Sequence, residues 1–125
     1  MLIDTDVLIW ATRGHAGAPA TLADTAPMRM SVVSYMELAQ ACRNKLELKK
    51  LKKSLQLCRA ILEPLDEASS QLAAQLIDRY AHSHNLRMAD ALIAATAITQ
   101  SLTLLTANDK HFAKIEGLKI RVFRP

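Results

Sequence analysis

Asp4 is the residue that most narrows the folds open to this chain. It follows Leu2-Ile3 and precedes Thr5-Asp6-Val7-Leu8-Ile9, so folding removes much of its hydration, and an unpaired charge in such surroundings costs roughly several kcal/mol. The stretch Met1 to Trp10 therefore reads as a buried strand that delivers a carboxylate to its C-terminal end and turns at once into a helix. Two forms of compensation are open. Asp and Thr at such a junction can cap the helix, accepting hydrogen bonds from its free N–H groups. Alternatively, the carboxylate can bind a divalent metal, because ligands of open parallel α/β sheets sit beyond the carboxyl ends of the strands, where Asp4 and Asp6 fall.

A chain of 125 residues, half of them hydrophobic, is long enough for one core and not two, so a single domain over 1–125 is expected. Its apolar runs are broken by charges well short of ~18 residues, and no basic–apolar–small-residue leader opens it. A cytoplasmic protein without a membrane segment is expected. Cys42 and Cys58 lie on predicted helices with no Cys-x-x-Cys pair or nearby His, the pattern of free packing thiols. The net charge of +4 leans toward a polyanionic partner such as nucleic acid.

Further along, Arg13 to Pro19 is rich in loop formers, and Pro19 can start a short helix through Asp24 that Pro27 closes. Met28 to Val33 reads as a second strand passing into a helix with Ser34 and Glu37 at its start. From Leu48 to Leu62, leucines and Cys58 recur at spacings of three and four with lysines on the other faces, an amphipathic helix. Glu63-Pro64-Leu65 breaks it, and Asp66 or Ser69 can cap a helix running toward Tyr80. Met88 to Ile98 is a buried helix with Asp90 near its start; Leu102 to Leu105 is a strand with a polar exit, Thr106 to Asp109; and Lys119 to Phe123 is an edge strand. Strands alternating with helices predict a three-layer α/β/α sandwich with a mainly parallel central sheet.

Asp4, Glu37, Asp90 and Asp109 are the acids set in apolar surroundings or at strand exits. Each has a local reading: Asp4 and Asp90 as helix caps, Glu37 as the far half of a capping box with Ser34, and Asp109 as a turn or cap residue. Together they read differently, because strand exits in a parallel sheet lie along one edge. Converging carboxylates repel, and are sustained by protons or by hard cations with oxygen ligands, Mg²⁺ or Mn²⁺. An acidic site in a net-basic chain suggests a phosphodiester substrate, hydrolysed by metal-activated water. Thr5, Ser34 and Thr106 stand at the same exits and could bond carboxylate or phosphate, or simply cap. The lysines from Lys45 to Lys53 could follow an RNA backbone or form a solvated face. Arg87 could contact phosphate or offset Asp90, while Trp10 reads as core, and His82 and His84 diverge on a helix.

Four segments carry a resemblance: Leu2 to Ile9, Ser31 to Leu38, Met88 to Ala95, and Leu104 to Phe112. In order and spacing they resemble the PIN-domain nucleases, and specifically the VapC-type toxins of bacterial toxin–antitoxin systems, over essentially the whole chain. The resemblance implies a PIN-like fold, a metal-dependent endoribonuclease acting on RNA, a cognate antitoxin that inhibits it, and a homodimer. It implies Asp4 and Asp90 as metal ligands, with Glu37 completing the shell or orienting water. The family's last acidic or amide position falls on Asn108, one step before Asp109, so either Asp109 substitutes or three carboxylates suffice. Asp6 stands where the family often has Asn or Ser, and its added charge marks the lip of the site.

Two alternatives use the same residues. Asp4-Thr5-Asp6-Val7 fits the opening of haloacid-dehalogenase-type phosphatases, whose first Asp is a nucleophile, although the later motifs of that class are missing from the chain. A PIN-like binding module without catalysis is the other, disfavoured by the intact Asp4, Glu37 and Asp90.

Overall fold

The computed structural model describes residues 1–12 and 27–124. The loop expected at 13–19 and the short helix expected from Pro19 lie outside the described residues. The elements are β1 (Leu2–Ile3), α1 (Thr5–Thr12), β2 (Arg29–Ser31), α2 (Val32–Ala41), α3 (Lys45–Leu57), β3 (Ile61–Glu63), α4 (Glu67–His84), α5 (Met88–Thr99), β4 (Leu104–Thr106), α6 (Asp109–Phe112) and β5 (Ile120–Val122). The strands form one sheet in the order β3-β2-β1-β4-β5, and every pairing is parallel. From β1 the chain builds outward through β2 to β3, then returns across to β4 and on to β5. The sheet's topological switch point therefore lies between β1 and β4, where Leu2 pairs with Leu104 and Ile3 with Leu105.

Successive strand residues point to opposite faces, and both faces are apolar. Leu2 and Leu104 pack with Ala73, Leu76 and Tyr80 of α4 and with Ala91, Ile93, Ala94 and Ala95 of α5. Ile3, Met30 and Leu105 pack with Val7 and Leu8 of α1 and with Phe123. This is the expected three-layer sandwich, with Leu2, Ile3, Leu104 and Leu105 fully buried. The small alanine side chains of α5 permit close approach of α4, and α4 with α5 forms the broadest helix–helix packing among the described residues. Of the two cap candidates Asp66 is the N-cap of α4, and Ser69 completes a reciprocal box that was not expected: Asp66 Oδ1 accepts from Ser69 N at 2.7 Å, and Ser69 Oγ accepts from Asp66 N at 3.0 Å.

Local expectations fail at five points. Val32 and Val33 read as strand by β-propensity, yet they open α2, because Ser31 Oγ accepts from Val33 N at 3.1 Å and caps the helix there. The Ser34–Glu37 capping box is thereby corrected; both residues lie inside α2. The amphipathic helix spans Lys45–Leu57 rather than Leu48 to Leu62: Asn44 caps it, Arg59 turns the chain at φ 53°, and Leu62 belongs to β3. Asp90 does not cap α5, since Arg87 occupies the cap position without a side-chain bond and Asp90 is the third helical residue. Finally, Thr106 is the last residue of β4, not its polar exit.

Candidate active site at the carboxyl edge of the sheet

The switch point brings the end of β1 against the end of β4. Asp4 follows β1 and is only 6% exposed. Its Oδ1 accepts from Thr5 N at 2.8 Å, and its Oδ2 accepts from Thr106 Oγ1 at 2.8 Å, across 102 residues of sequence. Thr106 in turn accepts from Asn108 N at 3.0 Å, so one buried hydroxyl ties the β4 exit to Asp4. Asp6, in the first turn of α1, accepts from Ala107 N at 3.2 Å and closes the same junction.

Thr5 builds the second wall. Its Oγ1 lies 2.7 Å from Glu37 Oε1 and 2.9 Å from Ser34 Oγ. A hydroxyl has one proton and a carboxylate only accepts. Thr5 therefore donates to Glu37, while Ser34 can donate to Thr5. Ser34 and Glu37 are three apart on α2, which places them on one helix face. Asp90 comes from the first turn of α5, and Asn108 and His111 from the entry and body of α6. Asp4, Thr5, Asp6, Ile9, Glu37 and Asp90, with Arg87, Ala89, Asn108 and His111, line a cleft of about 280 Å³.

Electrostatically this cleft is under-compensated. Burial, and after it the charge of Asp6, raises the Asp4 carboxyl to about 7; hydrogen bonds from Thr106 and Thr5 oppose the rise, and Asp90 adds to it. Asp90 Oδ2 is buried with no aligned hydrogen-bond donor among the described residues. Both observations fit a site that takes up positive charge. Among the described residues no three His, Cys, Asp or Glu side chains form a ready metal-binding group. An ion here would have one or two carboxylates, with water or phosphate completing its shell, the manner in which Mg²⁺ is bound.

The sequence candidates divide at β4. Asn108 lines the cleft; the Asp109 carboxylate instead lies 3.3 and 3.4 Å from the guanidinium of Arg124 and is not among the cleft-lining residues. His111 is a cleft residue that sequence reasoning does not single out, although it follows Asn108 by three on a short helix anchored by buried Phe112. Its Nδ1 is 3.1 Å from Asn108 Nδ2 and 3.3 Å from Asp90 Oδ2.

A parallel 3-2-1-4-5 sheet with carboxylates gathered at its switch point defines a class of acid-centred α/β proteins. The chain belongs to the PIN-domain family, whose model matches residues 1–118. It is 37% identical over 125 residues to Ribonuclease VapC10 of Mycobacterium tuberculosis, covering 95% of this chain and 90% of that protein. It also resembles a chain of a toxin-antitoxin complex from Klebsiella pneumoniae, with 25% identity, a TM-score of 0.77, and coverage of 94% and 93%. A chain in the crystal structure of VapBC2 from Rickettsia felis, bound to a DNA fragment from their promoter, superposes with a TM-score of 0.82 over 98% of both chains. At 20% identity that likeness speaks to the fold alone. Membership of the PIN family replaces the phosphatase reading of Asp4-Thr5-Asp6-Val7.

Proposed function

We propose that this chain is a single-domain, metal-dependent endoribonuclease toxin of the VapC type, held in check by a cognate antitoxin. The observation that carries this reading is one cleft in which a buried Asp4 with a raised pKa and a buried Asp90 oxygen that accepts no hydrogen bond among the described residues occur together. Asp4 and Asp90 would hold Mg²⁺ or Mn²⁺, which when bound activates water and offsets charge on the phosphodiester. Glu37, which accepts from the Thr5 hydroxyl at 2.7 Å, would complete the shell or orient water. Ser34 and Thr106 hold Thr5 and Asp4 in place, and Asp6 lies beside Asp4 at the β1–β4 junction. Arg87, which lines the cleft, would meet the substrate phosphate or offset Asp90. Asn108 rather than Asp109 supplies the fourth contact, since Arg124 engages Asp109. Exposed Met36, Leu46, Leu57, Leu62 and Met88 support coverage by protein surfaces, those of the antitoxin and of a second copy in a homodimer. Among the described residues no helix is long and apolar enough to cross a membrane, in keeping with action on RNA in the cytoplasm.

The test is cleavage of a mixed RNA pool by partner-free protein with Mg²⁺, with Mn²⁺ and with a chelator. Fragments should need metal and should fall by about 100-fold or more in Asp4→Asn, with Asn108→Ala costing more activity than Asp109→Ala. Cleavage that persists in chelator, or in folded Asp4→Asn, would sink the proposal.

A further inference from the structure

His111 Nδ1 stands between two side chains of the cleft, 3.3 Å from Asp90 Oδ2 and 3.1 Å from Asn108 Nδ2. A neutral imidazole has one N–H and one lone-pair nitrogen. With the Asn108 amide as placed, Nδ1 is the acceptor and cannot also donate to Asp90. Two acceptors then lie side by side, and the Asp90 oxygen has no aligned donor among the described residues. Turning the amide over exchanges its nitrogen and oxygen without changing its shape. With the amide turned, an oxygen of Asn108 would stand 3.1 Å from His111 Nδ1, which itself lies 3.3 Å from Asp90 Oδ2. Donor atoms about 2.1 Å from one ion lie about 3.0 Å apart in an octahedral shell and about 3.4 Å apart in a tetrahedral one. The separations here, 3.1 and 3.3 Å, fall between the two.

We propose that Asp90, His111 and Asn108 form a mixed nitrogen–oxygen metal subsite, and that His111 biases it toward first-row transition ions over Mg²⁺. The chemical basis is that an imidazole nitrogen binds transition ions well, whereas Mg²⁺ selects oxygen. The inference rests on the reading of this cleft as a nuclease metal site, and adds to it a ligand and an ion preference.

Mn²⁺ is the probe, used with full-length protein free of any partner. Pulsed electron paramagnetic resonance of the Mn²⁺-loaded wild type, with and without ¹⁵N-labelled histidine, should show modulation from one directly bound imidazole nitrogen. His111→Ala should lose that modulation and weaken Mn²⁺ binding, read by calorimetry, by about tenfold or more, while Mg²⁺ binding changes by less than about threefold. Bound Mn²⁺ without nitrogen modulation in the wild type, or equal loss of both ions in the variant, would overturn the proposal. Should His111→Ala fail to fold, the wild-type spectrum decides alone. Metal-dependent RNA cleavage without nitrogen modulation would remove His111 as a ligand and leave the nuclease reading standing. A wild type that neither binds Mn²⁺ nor cleaves RNA would remove both.

Discussion

A proton on Asp4 offsets the charge that burial and the neighbouring Asp6 leave uncompensated. Its carboxyl is raised to about 7, first by burial and then by Asp6, whereas an unfolded Asp titrates near 3.9. Between those values the folded state holds a proton that the unfolded state has released, so stability falls as pH rises. The loss begins near the unfolded value and is complete once pH exceeds about 7. The shift sets an upper limit of roughly 4 kcal/mol. In chelator, urea denaturation of the wild type should therefore show a midpoint that drops from pH 4.5 to 7.5. Asp4→Asn should flatten the profile and be the more stable protein at the upper end. An unchanged wild-type midpoint would mean that water or local relaxation meets the charge of Asp4 instead.

At the scale of elements, α2 separates capping from site building. Ser31 caps the helix through Val33 N, while Ser34, one turn on and fully buried, contacts the Thr5 hydroxyl that holds Glu37. Ser31→Ala should cost about 1 kcal/mol of stability and leave RNA cleavage near wild type. Ser34→Ala should lower cleavage more than its effect on stability explains, since it loosens Thr5 and with it Glu37. Denaturation curves and cleavage rates on the two variants check the division. The reverse pattern would return Ser34 to a structural role. The local alphabet misleads here for a physical reason: Ser31 and Ser34 both precede helix-compatible residues, and β-branched Val32 and Val33 favour a strand by propensity. The cap falls at Ser31 because β2 pairs with β3 as far as Ser31–Glu63 and no further.

For the whole molecule, a net charge of +4 surrounds an acidic cleft, and α3 presents Lys49, Lys50, Lys52 and Lys53 as exposed residues on a helix with none buried. If RNA follows this face, binding to the Asp4→Asn protein weakens linearly in log salt, and each phosphate left without its lysine lowers the slope by about 0.7 for single strands. Lys49→Ala with Lys53→Ala should reduce that slope by about 1.4 without unfolding the protein. An unchanged slope would make α3 a solvated face. The order of segments, the buried carboxylate after β1, a cap at Asp66 or Ser69 and the alternation that implies a parallel sandwich were legible in the sequence by itself, because each depends on neighbours a few residues apart. The quartet of motifs that marks the PIN family was legible for the same reason. Only the tertiary structure decided which polar groups meet. Thr106 reaches Asp4 across 102 residues because β4 returns beside β1. Asp109 lies against Arg124, near the far end of the chain, while Asn108 lines the cleft. His111 joins Asp90 because α6 follows β4. Such convergence follows from strand order, which no local stretch of sequence encodes.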